Sequence, residues 1–175
     1  YAFFKNAIHQ FPVKNFGLGQ EVYSLANTPD HGSLLLGCNS GFIKLSALSE
    51  VEKVYTIPSL EGIEVSSIGS SRNGMIWMGT RRNGLFTYNP VTGSVKNVFF
   101  SRNTIENFVN HIIVDTTSVW MATNGGVIRY RISDGQTEIF STNTAQLPHN
   151  KINHILKDSK GIIWIATKSN NLVAL

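Results

Sequence analysis

Ile76-Trp77-Met78-Gly79-Thr80 is the stretch that decides the fold, because the chain repeats it at a regular interval. It returns as Val119-Trp120-Met121-Ala122-Thr123 and as Ile163-Trp164-Ile165-Ala166-Thr167, and together these copies hold all three tryptophans. A weaker copy, Leu34-Leu35-Leu36-Gly37-Cys38, has leucine in the tryptophan position. The four copies are 42, 43 and 44 residues apart. A constant period in this range indicates an array of one supersecondary unit and is typical of β-propeller blades.

The rest of each repeat predicts four strands separated by turns. A repeat opens with two apolar residues three positions apart, and a polar turn rich in Asp, Asn, Ser and Gly follows. The tryptophan strand is apolar on consecutive residues, as expected of a strand that is buried on both faces. After a second tight turn come another apolar strand and a closing strand. Four strands in about 43 residues match the size of a propeller blade.

Two further positions in the repeat carry packing information. Two residues after the tryptophan, a small residue in every copy predicts the close approach of another chain segment. The second turn ends in three glycines and one asparagine, which predicts a positive φ there, since glycine is unrestricted at positive φ and asparagine tolerates it. The small residues are Gly37, Gly79, Ala122 and Ala166, and the turn residues are Gly41, Gly84, Gly126 and Asn171.

We therefore expect an all-β chain of four-stranded antiparallel blades that forms part of the arc of a larger propeller. The chain does not begin with Met, and it stops in the third strand of its fourth repeat. The alternative is a closed ring of four blades, completed by the N-terminal residues. The predicted segments are the end of a preceding blade (1–12), three complete blades (20–58, 64–101 and 108–142) and an incomplete blade (151–175).

Composition argues against several classes of protein. The formal net charge of +4 comes from scattered basic residues, of which only Arg81 and Arg82 are adjacent, so nucleic-acid binding is not expected. Cys38 is the single cysteine, which excludes an internal disulfide, and a buried structural role is expected for it. No apolar run approaches the roughly 18 residues of a membrane span. Any link to a membrane would run through parts outside this chain.

Catalytic, cofactor and metal signals are weak. The sequence has no nucleophile elbow, phosphate loop or metal-binding helix motif, and its 11 acidic residues show no spacing that suggests glycosidase chemistry. His111 and His154 share one repeat position, so neighbouring strands could bring their imidazoles together. Two ligands do not make a metal site, and the other repeats have Ser24 and Ser67 there. We expect no metal, no cofactor and no catalysis in this segment.

The loops after the tryptophan strands are the candidate binding surface. In propellers these loops lie on the same face as the connections between blades, and binding residues concentrate on loops that a rigid scaffold holds. Their guanidinium, ammonium and amide groups suit a sugar or an anion. The candidate ligand-binding residues are Arg81, Arg82, Asn83, Asn124, Lys168 and Asn170 in these loops and Asn150 in a connection between blades.

The repeat as a whole resembles the two-component regulator propeller repeat. The stretch from Leu147 to Ile155, followed by Asp158 to Thr167, carries most of the resemblance, and Met75 to Thr80 with Asn83-Gly84-Leu85 is the next. The resemblance implies a seven-bladed propeller in the periplasmic sensor half of a hybrid two-component system. In such proteins a single membrane span and a cytoplasmic histidine kinase follow, and the ligand is an oligosaccharide released from a glycan.

The resulting expectation is a periplasmic, ligand-sensing propeller that binds an oligosaccharide and signals to a downstream kinase. We also expect a homodimer of the larger protein. Two alternatives stay open, because lyases use similar propeller repeats and a propeller can serve as a protein-interaction scaffold. A membrane span and a kinase downstream would favour the sensor, and a stop after seven blades would favour the lyase.

Overall fold

Four antiparallel sheets make up the described part of the chain, which in this computed structural model covers residues 21–46, 51–169 and 171–175. Each sheet is one repeat, and its strands pair in chain order. Blade 1 comprises β1 (Val22–Asn27), β2 (Ser33–Cys38), β3 (Gly41–Ser46) and β4 (Val51–Thr56). Blade 2 comprises β5 (Ser67–Ser70), β6 (Ile76–Gly79), β7 (Leu85–Tyr88) and β8 (Val95–Phe99). Blade 3 comprises β9 (Val109–Val114), β10 (Ser118–Thr123), β11 (Gly126–Arg131) and β12 (Thr137–Phe140). Blade 4 comprises β13 (Ile152–Lys157), β14 (Ile163–Thr167) and β15 (Leu172–Ala174).

The connections between blades hold the helical content of the described residues. A 3₁₀ turn at Pro58–Leu60 joins blades 1 and 2, and another at Thr104–Asn107 joins blades 2 and 3. No helix within the described ranges has the length and apolar character that crossing a bilayer requires.

The tryptophan position has the same strand register in all four blades. Trp77, for example, faces Gly69 on the first strand of its blade and Thr87 on the third. The residues at this position in the other blades face the repeat equivalents of those two neighbours. The three tryptophans therefore occupy equivalent register positions in their blades. The partners are Ala26 and Lys44 for Leu35, Ile113 and Arg129 for Trp120, and Leu156 and Ala174 for Trp164.

Most of the hydrophobic core lies between blades, and one further cluster, around Leu36 and Ile43, lies on one face of blade 1. Buried side chains of blades 1 and 2 pack together, among them Phe42 and Met78. Trp77 packs with Met121 between blades 2 and 3, and a third cluster joins blades 3 and 4. Each sheet is thus apolar on both faces, which explains why the tryptophan strands are apolar on consecutive residues instead of alternating.

The small residue after each tryptophan is where neighbouring blades come closest. A Cβ on Gly79 would overlap the side chain of Val109 in blade 3, and one on Gly37 would approach the backbone of Val65 at the start of blade 2. The predicted close approach of another segment is therefore confirmed at both glycines.

Three of the four predicted positive φ angles are confirmed. Gly41, Gly84 and Gly126 have φ values of +147°, +75° and +130°. At each of them an added Cβ would overlap a backbone carbonyl oxygen of the fourth strand of the same blade. The φ of Asn171 depends on residue 170, which lies outside the described residues, so that angle stays a prediction.

The first strand of blade 1 differs in burial from its equivalents. Leu25 is 64% exposed, whereas Ile68, Ile112 and Ile155 occupy the same repeat position and are at most 5% exposed. Among the described residues, no further blade covers Leu25. The predicted segment 1–12 lies outside the described residues. Cys38 is fully buried, as expected, and burial raises the pKa of its thiol to about 11.

Candidate functional site

The loops after the tryptophan strands are bonded to the connections between blades. The backbone N–H of Arg81 donates to the carbonyl of Glu64, which belongs to the connection from blade 1 (3.1 Å). The N–H of Asn124 donates to Phe108 (3.2 Å), and that of Lys168 donates to Lys151 (3.0 Å). Both sets of loops therefore lie on one face of the blades, as the sequence predicted.

A buried threonine at the end of each tryptophan strand holds the loop in place. The Oγ1 of Thr80 donates to the carbonyl of Gly84 (2.9 Å) and accepts from the N–H of Asn83 (3.0 Å). Thr123 makes the same pair of bonds with Gly126 (2.8 Å) and Gly125 (3.0 Å). A hydroxyl that both donates and accepts closes the loop on itself. The repeated motif of this chain thus builds the platform for the side chains that follow it.

These loops surround a concavity that we call the polar cleft. It has a volume of about 640 Å³, and a second concavity of about 310 Å³ shares Arg81, Asn110 and Lys151 with it. Four of the predicted binding residues, Arg81, Arg82, Asn83 and Asn124, line the larger part. Its other lining residues are Gly62, Ile63, Glu64, Phe108, Asn110 and Lys151, and the smaller part adds Tyr23, Ser66 and Asn153.

The charged side chains of the polar cleft have different environments. The guanidinium Nε of Arg81 donates to a carboxylate oxygen of Glu64 at 3.1 Å. The guanidinium of Arg82 lies over the ring of Phe108, 5.7 Å from its centroid. Lys151 contributes a third positive charge to the lining, and Glu64 is the single carboxylate among the lining residues that the structure describes.

Several cleft residues were missed by sequence reasoning, although a signal for them exists. Tyr23, Ser66, Asn110 and Asn153 occupy the same repeat position, just before the position shared by the serines and histidines. Their four first strands are neighbours, so they converge on the smaller part of the cleft. Asn110 also links two blades, because its Nδ2 donates to the carbonyl of Ile152 at 2.7 Å and to the Oδ1 of Asn124 at 3.0 Å.

The remaining predicted residues lie elsewhere. The side chain of Asn150 accepts the backbone N–H of Thr142 at 2.7 Å, which is a loop-holding role. Lys168 contacts Lys151 through its backbone, and its exposed side chain is outside the cleft lining. Asn170 lies outside the described residues. A ligand-binding role stays a prediction for all seven residues.

His111 and His154 do come together, on the first strands of blades 3 and 4. Their rings stack with centroids 3.6 Å apart. The pKa of His111 is lowered from its ordinary 6.5 to about 4. Burial is the larger cause, and the neighbouring His154 is the second. Its Nδ1 is buried without a hydrogen-bond partner. In the described residues, no group of three or more His, Cys, Asp or Glu side chains is placed to hold a metal.

Similarity to known proteins agrees with this architecture. The family model of the two component regulator propeller matches residues 146–169. The extracellular domain of BT4673 from B. thetaiotaomicron, assigned to a one-component or a hybrid two-component system, is 22% identical with a TM-score of 0.71. The match covers 94% of this chain and 22% of that protein chain. The corresponding domain of BT3049, from a hybrid two-component system of the same organism, is 20% identical with a TM-score of 0.66, covering 87% of this chain and 20% of that chain.

A propeller enzyme has a similar fold as well. The structure of a streptogramin B lyase is 13% identical, with a TM-score of 0.65, and the match covers 87% of this chain and 53% of the lyase. No curated protein is similar enough to count as a relative. This chain spans about a fifth of the length of the BT4673 and BT3049 domains, and at these identities the likeness shows the fold alone. Residues 146–169 are thus a two-component regulator propeller repeat, in a chain that folds into β-propeller blades.

Proposed function

We propose that this chain is part of the ligand-sensing propeller of a hybrid two-component regulator. The propeller lies in the periplasm, binds an oligosaccharide derived from a glycan and signals to a histidine kinase outside this segment, in a protein that forms a homodimer. The observation that carries the proposal is the polar cleft, which combines rigidly held loops with convergent polar side chains. The family match at residues 146–169 and the fold similarity to extracellular domains of hybrid two-component systems support the setting.

The composition of the polar cleft suits a sugar. Its volume of about 640 Å³ is in the range of small-molecule sites. Asn83 and Asn124 offer amide donors and acceptors for the hydroxyl groups of a sugar. A small number of polar groups on a rigid frame is the usual design of a specific ligand site.

The lyase alternative has less support from the described residues. The fold similarity to a streptogramin B lyase favours it, but acid–base catalysis needs a group that can take or give a proton beside the substrate. Glu64, the one acidic residue in the described lining, already pairs with Arg81. His111 and His154 lie outside that lining.

Titration calorimetry of the full-length protein with a panel of glycan-derived oligosaccharides tests the proposal. We expect at least one oligosaccharide to bind, and an Arg81→Ala/Arg82→Ala double variant to bind it about tenfold or more weakly. Arg72→Ala/Lys160→Ala is the matched control, because both residues are exposed in first turns of their blades, at the opposite ends of the strands. Unchanged affinity in the cleft variant would place the site elsewhere. Turnover of the bound sugar would support the lyase instead.

A further inference from the structure

We infer that the polar cleft selects oligosaccharides that carry an anionic group, a carboxylate or a sulfate, and that Arg82 and Lys151 bind this group. The inference rests on the proposed function and specifies its ligand. It also assigns different roles to the two adjacent arginines, which the sequence alone does not distinguish.

Arg81 is already engaged by a carboxylate. Its Nε lies 3.1 Å from Glu64, and the backbone N–H of Arg81 donates to the carbonyl of the same residue. Both side chains are partly exposed, so the pair is held by two contacts rather than by strong burial. A ligand anion would have to compete with Glu64 for this guanidinium.

Arg82 has no such partner among the described residues. Its guanidinium lies over the ring of Phe108, and its N–H groups have no hydrogen-bond partner among the described residues, so they can donate to a ligand. Stacking on an aromatic ring orders a guanidinium while retaining its full charge. A planar guanidinium then matches a carboxylate or a sulfate in bidentate fashion.

Lys151 supplies a second unpaired cation in the same concavity. Its side chain is half-buried and lines both parts of the polar cleft. Its backbone is fixed, because its N–H donates to Nδ1 of His149 at 2.8 Å and its carbonyl accepts from the N–H of Lys168 at 3.0 Å. No carboxylate of the described chain forms an ion pair with Arg82 or Lys151.

The charge balance of the cleft therefore favours an anion. Arg81, Arg82 and Lys151 face a single carboxylate, which leaves two positive charges uncompensated among the described lining residues. A concave surface with one sign of charge concentrates the potential and attracts a ligand of the opposite sign. A neutral sugar would gain only hydrogen bonds in this place, whereas an acidic sugar would also offset the mutual repulsion of the cations.

An array of acidic oligosaccharides tests the inference when each member is printed beside its carboxyl-reduced or desulfated neutral counterpart. With the full-length protein, we expect binding to acidic members about tenfold stronger than to their neutral counterparts. Separate Arg82→Gln and Lys151→Gln variants should lower the affinity for the acidic member by about tenfold and leave the neutral member unchanged. Lys160→Gln, in the first turn of blade 4, is the control and should change neither.

Glu64→Gln provides a test in the opposite direction. It frees Arg81 for the ligand, so affinity for the acidic member should rise severalfold while affinity for the neutral member stays constant. Equal binding of acidic and neutral members would overturn the inference and leave the proposed function standing. If no array member is bound, the proposed function fails, and the inference fails with it.

Discussion

His111 shows at the scale of one residue how the repeat can change chemistry without changing the fold. Blades 1 and 2 have serine at this position, and Oγ of Ser67 accepts the backbone N–H of Ile112 at 3.0 Å. In blade 3 an imidazole fills the same place and stacks on His154 of blade 4. Because this imidazole is half-buried, with its Nδ1 shielded from solvent, and has a second imidazole as neighbour, its charged form is disfavoured.

The lowered pKa of His111 predicts a dependence of stability on pH. In the unfolded chain the imidazole takes up its proton near pH 6.5, and in the folded chain only near pH 4. Between these values the unfolded state binds more protons, so stability is lost as the pH falls through this window. Relative to a His111→Ser variant, the wild type should lose roughly 2 to 3 kcal/mol of unfolding free energy between pH 7 and pH 4.

Denaturant melts of both proteins across this pH range measure the difference. Aspartates with lowered pKa values, such as Asp115 and Asp158, titrate in wild type and variant alike, so their contribution cancels. His154→Ser is the companion variant. It should reduce the pH dependence only in part, because burial is the larger cause of the shift in His111. Parallel pH profiles for wild type and His111→Ser would contradict the prediction.

At the scale of the element, the fourth strand of a blade restricts which residue can end the second turn of that blade. Gly84 combines a φ of +75° with a position against the carbonyl oxygen of Phe99, at the end of β8. Gly93 has nearly the same φ, +71°, but an added Cβ there would have no atom within 4 Å. The two glycines therefore separate backbone strain from steric overlap.

Replacing each of these glycines by alanine should give unequal losses. Gly93→Ala should cost about 1 to 2 kcal/mol, the ordinary penalty of a positive φ. Gly84→Ala should cost about 1 to 3 kcal/mol more, because its Cβ also displaces the fourth strand. Urea denaturation of the two variants provides the comparison, and equal losses would show that the strand moves away freely.

The same geometry explains why sequence reasoning was right about the turn but incomplete about its cause. Glycine at three of four equivalent positions correctly predicted a positive φ. Asparagine tolerates such a φ, but it too has a Cβ, which would meet the same oxygen in blades 1 to 3. Asn171 belongs to blade 4, whose described sheet has three strands and no such carbonyl opposite.

Sequence periodicity predicted the strands and turns of each blade because these are local properties of the repeat. The periodicity did not predict the contacts between side chains of different blades. The pairing of Arg81 with Glu64 depends on the path of a connection, and the bond from Asn110 to Ile152 joins neighbouring blades 42 residues apart in sequence. The sequence could therefore indicate the loops that form the polar cleft, but it could not show which arginine is already neutralised or that Lys151 faces the same space.

At the scale of the whole molecule, stability is shared between neighbours. Three of the buried clusters lie at the junctions of blades 1 and 2, 2 and 3, and 3 and 4, so each blade shares core side chains with its neighbour. Stability in such an array is approximately a sum of unit terms and nearest-neighbour terms. The contribution of a residue to stability should then depend on whether the blade that its side chain packs against is present.

Leu25 and Ile68 make this testable, because they occupy the same position on the first strands of blades 1 and 2. Leu25 is 64% exposed and Ile68 only 4%. In the 175-residue chain, Ile68→Ala should cost about 2 to 5 kcal/mol, as expected for a core aliphatic residue, and Leu25→Ala less than about 1 kcal/mol.

The same two substitutions in the full-length protein then report on the expected larger propeller. If a further blade packs against β1, Leu25 becomes a core residue, and the cost of Leu25→Ala should rise to about 2 kcal/mol or more. Ile68→Ala serves as the internal control, since its neighbours are already present in the shorter chain and its cost should not change. A cost for Leu25→Ala that is equally small in both proteins would mean that no further blade covers β1. The reason is that the free energy lost on truncating a side chain depends on the atoms that surround it and not on its position in the repeat.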